Sequence, residues 1–196
     1  TPRARTANSP LAWIALCVGT ASIFANMYST QAILPLLGRV FDVGPAKAGL
    51  TVSVVVLAVA LGSLVAGPLS DRYPPAILGG AGLAVLCAGL TSLALLPADP
   101  SVPDIVWRMA LCGLGFGFFQ SPNLRAIMSS APPERSGGAS GTVATSRLLG
   151  QSVGAALVAL CFGIAGPGGP ALALALAAGF AGAASVVSFA RLLAGE

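Results

Sequence analysis

Long apolar stretches separated by short polar loops dominate the hydrophobic pattern of the chain. A helix needs roughly 20 apolar residues to cross about 30 Å of hydrocarbon. The charge-free stretches are 6–38, 48–70, 73–98, 109–124 and 148–190. The last is too long for one helix and contains the sequence GPGGP at 166–170, which would break a helix interior.

The pattern therefore predicts an all-α polytopic membrane protein with six transmembrane helices. The predicted helices are about 11–37, 47–69, 76–97, 105–128, 139–163 and 171–192. Residues 11–192 would form one bundle, with short tails at 1–10 and 193–196. The first helix is too long for a signal peptide, and no small-residue cleavage site precedes soluble sequence, so we interpret it as retained.

Composition agrees with a membrane protein and excludes several functions. Charged residues make up 8% of the chain and hydrophobic residues 56%, whereas soluble domains carry about 25% charged residues. There is no His, and no run of Lys and Arg that could follow a nucleic-acid backbone. We therefore expect no enzyme, metal, cofactor or nucleic-acid partner. The four cysteines lie in apolar runs and are interpreted as small buried hydrophobes.

Basic residues predict the orientation, because cytoplasmic loops carry an excess of Lys and Arg. With a cytoplasmic N-terminus, seven basic residues lie inside and three outside. The inside residues are Arg3, Arg5, Arg72, Arg125, Arg135, Arg147 and Arg191. The outside residues are Arg39, Lys47 and Arg108. Both termini are therefore expected in the cytoplasm.

Small residues mark the faces on which helices are expected to pack, since helices in lipid associate through close backbone approach. Gly113 and Gly117 flatten the fourth predicted helix, and Gly150 and Gly154 form a G-x-x-x-G pair on the fifth. Tight packing is the simpler interpretation. Surfaces that slide during a transport cycle are a compatible one.

Polar residues within the spans indicate a water-filled cavity, because each is costly in hydrocarbon. They concentrate on the first, fourth and fifth predicted helices, whereas the third and sixth look featureless and are interpreted as lipid-facing or supporting. The candidate cavity residues are Asn26, Tyr28, Gln31, Phe119, Gln120, Asn123, Gln151 and, near the cytoplasmic mouth, Arg147. Hydrogen bonding between helices without a ligand is the alternative. No carboxylate falls in mid-span to serve plainly as a proton relay.

Two passages resemble the major facilitator superfamily. Residues 67–73 (GPLSDRY) resemble its loop signature G-x-L-A/S-D-R-x-G-R/K-R/K, although 74–76 (PPA) replace the following Gly and the basic pair. Upstream, the chain looks like the first two helices of twelve-helix drug and sugar efflux carriers. Residues 107–123, with 133–135 and 139–141, resemble late helices of fourteen-helix multidrug carriers. The resemblance thus joins the beginning of one branch to the end of another.

The resemblance implies one half of a major facilitator fold, built from two three-helix units of inverted topology. It implies an antiporter in the bacterial inner membrane that exports lipophilic or cationic drug-like solutes by alternating access. Because family members have two six-helix halves, the leading hypothesis is a parallel homodimer of half-size units. The alternative is a non-transporting membrane protein: a partner subunit, a truncated remnant or an engineered fragment. The missing basic pair and the absence of a mid-span acid favour this alternative.

The resemblance also implies a latch on the cytoplasmic side. In the family, the aspartate of the loop signature holds that side through an arginine and a helix N-terminus. The candidate latch residues are Gly67, Asp71, Arg72, Arg125 and Arg135. We expect Asp71 to pair with Arg125, or failing that with Arg135 or Arg147. The alternative is a solvated surface pair worth roughly 0–1 kcal/mol.

Overall fold

The computed structural model describes residues 45–97, 99–132 and 136–193, with side chains from 52 to 190 within those ranges. These residues form five α-helices joined by short turns, and no strand occurs among them. The helices are α1 (Pro45–Leu69), α2 (Pro75–Ala94), α3 (Val102–Ser130), α4 (Ser136–Ala165) and α5 (Gly169–Leu193). They correspond in order to the second to sixth predicted helices. The first predicted helix lies outside the described residues.

Proline and serine set the N-terminal ends of α2 and α3. Pro75 occupies the first turn of α2, where its missing N–H costs nothing. Ser101 caps α3 by accepting a hydrogen bond from the Asp104 N–H at 3.3 Å. Pro103 therefore lies in the first turn of α3, and the helix begins three residues before its expected start at 105.

The glycine- and proline-rich segment ends α4, as the sequence predicts. Residues Gly166–Gly168 form a single 3-10 turn, and Gly166 has a positive φ of 51° that other residues rarely adopt. A Cβ on Gly169 would lie 2.8 Å from the Phe162 Cα, so only glycine lets the two helices meet this closely. The chain reverses here within a few residues.

Glycine contacts fix the directions of α1, α2 and α3. A Cβ on Gly113 would lie 2.7 Å from the Val55 carbonyl oxygen, and one on Gly117 would overlap Val59, so α3 runs parallel to α1. On its other side, a Cβ on Gly115 would lie 2.5 Å from the Leu86 nitrogen. Further contacts show that α2 is antiparallel to α3, with Gly82 against Phe119 and Gly89 against Cys112. Hence α3 lies between α1 and α2.

The buried core lies where α2, α3 and α5 meet. Its members are Leu83, Leu86, Leu90, Cys112, Phe116, Ala178 and Ala181. Three side chains also donate across the α2–α5 interface: Ser188 to the Ala76 carbonyl at 2.9 Å, Ser185 to Gly80 at 2.9 Å, and Cys87 to Ala178 at 3.3 Å. Thus α2 and α5, which look featureless in sequence, are antiparallel and hold this core with α3.

Four helical stretches of the described residues are long and apolar enough to cross a membrane. They are Val52–Leu69, Pro75–Ala94, Val102–Ser130 and Ser136–Ala190, the last containing both α4 and α5. Large apolar side chains such as Leu64 and Ile164 are exposed on α1 and α4, as expected for surfaces that face lipid. The alternating directions place the α1–α2 turn and the end of α3 on one face of the bundle, called here the latch face. The turn at Gly166–Gly168 is on the opposite face.

Candidate functional site

Backbone hydrogen bonds hold the turn between α1 and α2 in one conformation. The Ser70 N–H donates to the carbonyls of Ala66 and Gly67, at 2.9 and 3.1 Å. The Tyr73 N–H donates to the Leu69 carbonyl at 2.9 Å. These bonds satisfy carbonyls at the end of α1 that would otherwise lack a partner. The loop-signature aspartate therefore projects from a defined turn.

An ion pair joins this turn to the end of α3. The Arg125 Nη1 donates to the Asp71 Oδ1, and the same nitrogen donates to the Ser70 Oγ at 3.2 Å. The contact links residues that are 54 apart in sequence, on helices that pack side by side. This is the pair that the sequence analysis expected first, and Arg147 and Arg135 were its weaker candidates.

The exposure of the pair determines its strength. The side chains of Arg125 and Asp71 are 52% and 60% exposed, and one guanidinium nitrogen makes the contact. Exposed pairs of this kind contribute roughly 0–1 kcal/mol. A difference of about 1 kcal/mol still changes a two-state equilibrium about fivefold. The pair is therefore suited to biasing a conformational equilibrium and unsuited to holding the fold.

The other arginines of the expected cluster have different positions. Arg72 is exposed in the turn, and Arg135 lies outside the described residues. Ser140 of α4 contacts Met128 of α3 at 3.8 Å, which aligns the two helices. Arg147 is seven residues beyond Ser140, and Arg125 is three before Met128. At 1.5 Å per residue, Arg147 lies roughly 6 Å deeper than Arg125, about one helical turn. Arg147 therefore lies deeper in the bundle than the Asp71–Arg125 pair.

The four predicted packing glycines are all buried. Gly113 and Gly117 make the close backbone contacts with α1 described above. Gly150 and Gly154 are buried on α4. The structure thus shows close helix packing at the first pair. Whether these surfaces slide stays a prediction.

The predicted cavity residues divide into three groups. Asn26, Tyr28 and Gln31 lie outside the described residues. Gln120, Asn123 and Gln151 are half-buried on α3 and α4, and Arg147 is exposed on α4. Phe119 is half-buried and packs against the α2–α3–α5 core. That these residues share one polar space stays a prediction.

Arg108 has surroundings that the sequence analysis did not predict: it was counted among the outside residues within the fourth predicted helix, with no expectation of burial. It lies six residues into α3, and its Nε and Nη1 are buried. Neither nitrogen has a hydrogen-bond partner among the described residues. Its Cζ lies 5.1 Å from the centroid of the Trp107 ring, a cation–π contact that offsets part of the desolvation.

Ser70 is the member of the latch that the sequence analysis missed. The family signature allows Ala or Ser at this position, so a serine there gave no signal by itself. Only the turn geometry shows its hydroxyl between the Gly67 carbonyl, at 2.6 Å, and Arg125. Among the described residues, no group of His, Cys, Asp or Glu could hold a metal ion.

Comparison with known proteins identifies the family. The sequence profile of the Major Facilitator Superfamily matches residues 16–194. The chain belongs to this superfamily. The match includes both passages that carry the resemblance and all five described helices. It establishes a membrane transporter family whose members are generally not enzymes.

Similar curated proteins are bacterial transporters. The uncharacterized transporter YebQ of Escherichia coli is 44% identical over 183 residues, which cover 93% of this chain and 40% of that protein. The riboflavin transporter RibZ of Clostridioides difficile is 30% identical over 74% of the chain and 32% of its own length. The multidrug efflux pump LfrA of Mycolicibacterium smegmatis is 29% identical over 73% of the chain and 30% of its own length. The chain thus spans about two fifths or less of these relatives.

The alignment with YebQ concerns the two passages that resemble different branches of the superfamily. It covers 93% of the chain, so it includes the loop signature and the passage at 107–123. One relative therefore resembles both passages that the sequence analysis had assigned to two different branches.

Proposed function

We propose that the chain forms one six-helix wall of an alternating-access carrier that exports lipophilic or cationic drug-like solutes. The observation that carries the proposal is the contact of Asp71 with Arg125. It places the loop-signature aspartate on an arginine of the neighbouring helix, at one face of the bundle. A latch on a bundle that rocks during transport needs a contact of this kind, because a single exposed ion pair can break and re-form at little cost in free energy.

A second six-helix bundle completes the transport unit in this proposal. Carriers of this type bind solute between two halves that move about it. The chain spans 40% of YebQ, which is close to one such half. In the leading version of the proposal, a second copy of the chain supplies the other half as a parallel homodimer.

The solute class is inferred from the relatives and from the spans. LfrA is named as a multidrug efflux pump and RibZ as a riboflavin transporter. Three half-buried residues of α3 and α4 carry uncharged amides, Gln120, Asn123 and Gln151. Uncharged polar groups among apolar side chains suit an amphipathic solute that is neutral or cationic. Riboflavin, a neutral aromatic solute, is the comparison substrate.

Ethidium efflux tests transport. Energised bacterial cells that lack their own multidrug pumps would express the chain or its Asp99→Asn variant, or would carry an empty vector. Asp99→Asn alters an acid in the loop between α2 and α3, on the face opposite the latch face. We expect the chain and Asp99→Asn to lower cell fluorescence several times faster than the vector. Parallel assays with radiolabelled riboflavin would show whether ethidium or the flavin is the better substrate.

The mass of the detergent-solubilised protein tests the second wall. We expect light scattering to give a protein mass of twice 19.2 kDa. Two results together would overturn the proposal: a solubilised protein that is monomeric and binds no ethidium, and ethidium efflux from cells no faster than with the empty vector. That result would favour the alternative, a non-transporting partner subunit. The replacement of the basic pair in the loop signature also favours that alternative.

A further inference from the structure

We infer that Ser70 is the positioning residue of the latch: its hydroxyl orients the Arg125 guanidinium toward Asp71. The inference rests on the proposed function, because it assigns a role within the latch of that carrier. It starts from the weakness of the ion pair. One nitrogen of a half-exposed guanidinium makes the contact, and nothing in such a pair fixes the rotation of the arginine.

The hydroxyl of Ser70 has a fixed orientation. A serine hydroxyl has one donor and two acceptor lone pairs. Its proton goes to the Gly67 carbonyl, since the Oγ lies 2.6 Å from that oxygen. The lone pairs of the Ser70 Oγ therefore point away from α1, and the Arg125 Nη1 donates a hydrogen bond to this oxygen at 3.2 Å.

The oriented hydroxyl of Ser70 in turn fixes the orientation of the Arg125 guanidinium. The Nη1 of Arg125 carries two N–H groups. One of them is directed at the Ser70 oxygen, which leaves the other for the Asp71 carboxylate. The serine thus sets the rotation of the terminal nitrogen. Its own bond to the last turn of α1 also polarises the hydroxyl and strengthens the bond that it accepts.

The position of Ser70 at the end of α1 adds an electrostatic term. The C-terminal end of a helix carries partial negative charge and favours a cation close by. Ser70 follows Leu69, the last residue of α1, so the arginine that it holds lies at that end. Loss of the hydroxyl would leave the charges of Arg125 and Asp71 in place but release the geometry that joins them.

A cysteine reporter next to the latch can measure this geometry. Ser121 of α3 is half-buried against α1, and its Oγ lies 3.9 Å from where a Cβ on Gly67 would be. Ser121→Cys keeps the size of the side chain. Its alkylation by N-ethylmaleimide, followed for that peptide by mass spectrometry in membranes, rises when the ends of α1 and α3 separate.

In the Ser121→Cys protein, we expect Ser70→Ala to raise the alkylation rate about threefold to tenfold, the effect of losing about one ordinary intramolecular hydrogen bond. Ser70→Thr keeps the hydroxyl and should leave the rate unchanged. Ser129→Ala is the matched control, because Ser129 makes the same bond to the carbonyl three residues earlier, on the same face of the bundle. It should also leave the rate unchanged.

A double variant separates positioning from simple capping of α1. With Arg125→Ala already present, Ser70→Ala should raise the rate no further, because there is no guanidinium to orient. An equal rise with and without Arg125 would mean that Ser70 only stabilises the turn, and would overturn the inference. Ser70→Gly serves as a second hydroxyl-free variant if Ser70→Ala inserts poorly.

Asp71→Asn separates failure of the inference from failure of the latch. If Asp71→Asn raises the alkylation rate and Ser70→Ala does not, the latch stands and the role of Ser70 is refuted. If Asp71→Asn also leaves the rate unchanged, the latch itself is refuted, and the inference falls with it.

Discussion

The Asp71–Arg125 contact combines low stability with a position between two helices. Each side chain is more than half exposed, so the pair adds little to the free energy of unfolding. It joins the α1–α2 turn to α3, however, and can be present in one conformation of the carrier and absent in the other. A small free energy then acts on the equilibrium between the two conformations rather than on folding.

A double-mutant cycle tests this assignment. We expect Asp71→Asn to shift the carrier toward an inward-open form and to cut ethidium efflux, because the carboxylate that holds Arg125 loses its charge. Arg125→Ala should do the same, and the double variant should be little worse than either single one. The melting temperature should change by about 4 °C or less in each variant. Simple additivity, or full activity of Asp71→Asn, would leave only a solvated surface pair.

The sequence was sufficient to predict this pair and insufficient to predict its third member. The predicted topology puts Asp71 and Arg125 on the same side of the membrane, and the resemblance implies that the aspartate pairs with a nearby arginine. Arg135 and Arg147 stayed open as alternatives. The role of Ser70 depends on the path of the backbone at the end of α1, where the hydroxyl meets the Gly67 carbonyl. That path is set by hydrogen bonds in the turn and has no periodic signature in the sequence.

Among the elements, α3 has the closest contacts, because glycines on two of its faces admit neighbouring backbones. Gly113 and Gly117 face α1, and Gly115 faces α2. The glycines of α3 were readable from the sequence as a stripe. Their partners were not, since Val59 and Gly82 become identifiable only when the directions and registers of the helices are known.

Gly117→Ala should destabilise the bundle. The added Cβ would overlap the Val59 carbonyl and lie 2.9 Å from the Ser63 nitrogen, and backbone atoms cannot rotate away. Overpacking of this kind costs about 1–3 kcal/mol, and we expect thermal unfolding in detergent several degrees lower. Gly163→Ala on α4 is the control, because its Cβ would meet nothing within 4 Å. Equal melting temperatures for the two variants would contradict the close approach of α1 and α3.

The α2–α5 interface shows why hydroxyls in apolar helices are hard to interpret from sequence. Ser185 is buried and donates to the Gly80 carbonyl of α2, whereas Ser152 donates to Leu148 of its own helix and is exposed. Both are hydroxyls on long apolar helices, and the hydropathy pattern alone does not show which of them bonds to another helix. The difference arises from which face each helix buries.

Ser185→Ala and Ser152→Ala form a matched pair of variants. Removal of the buried interhelical bond should cost about 0.6 kcal/mol, the average for such bonds in a membrane. We expect a melting temperature about 1–3 °C lower for Ser185→Ala and no change for Ser152→Ala. Differential scanning fluorimetry of the solubilised proteins measures both. An equal effect of the two substitutions would show that the hydroxyl of Ser185 does not link α2 to α5.

For the whole molecule, the described helices alternate in direction, so the charged turns separate onto two faces. The latch face carries Arg72 and Arg125, and the backbone of Arg191 lies at the end of α5 on this same face. Lys47, near the start of α1, belongs to the opposite face. Most of the described basic residues therefore lie on the latch face, which is the asymmetry that the positive-inside rule uses, whereas Arg108 near the start of α3 lies toward the opposite face. Which face meets the cytoplasm follows from that rule alone and stays a prediction.

Cysteine labelling from each side of the membrane tests the orientation. Gly168→Cys places a thiol in the exposed turn between α4 and α5, and Ser130→Cys places one at the exposed end of α3, on the latch face. Because basic residues concentrate on the latch face, we expect an impermeant maleimide to label Gly168→Cys in intact cells. It should label Ser130→Cys only after the membrane is opened. Cys112 and Cys161 are buried and should give little background. The reverse pattern would place the latch outside the cell, where an inward-open state could not depend on it.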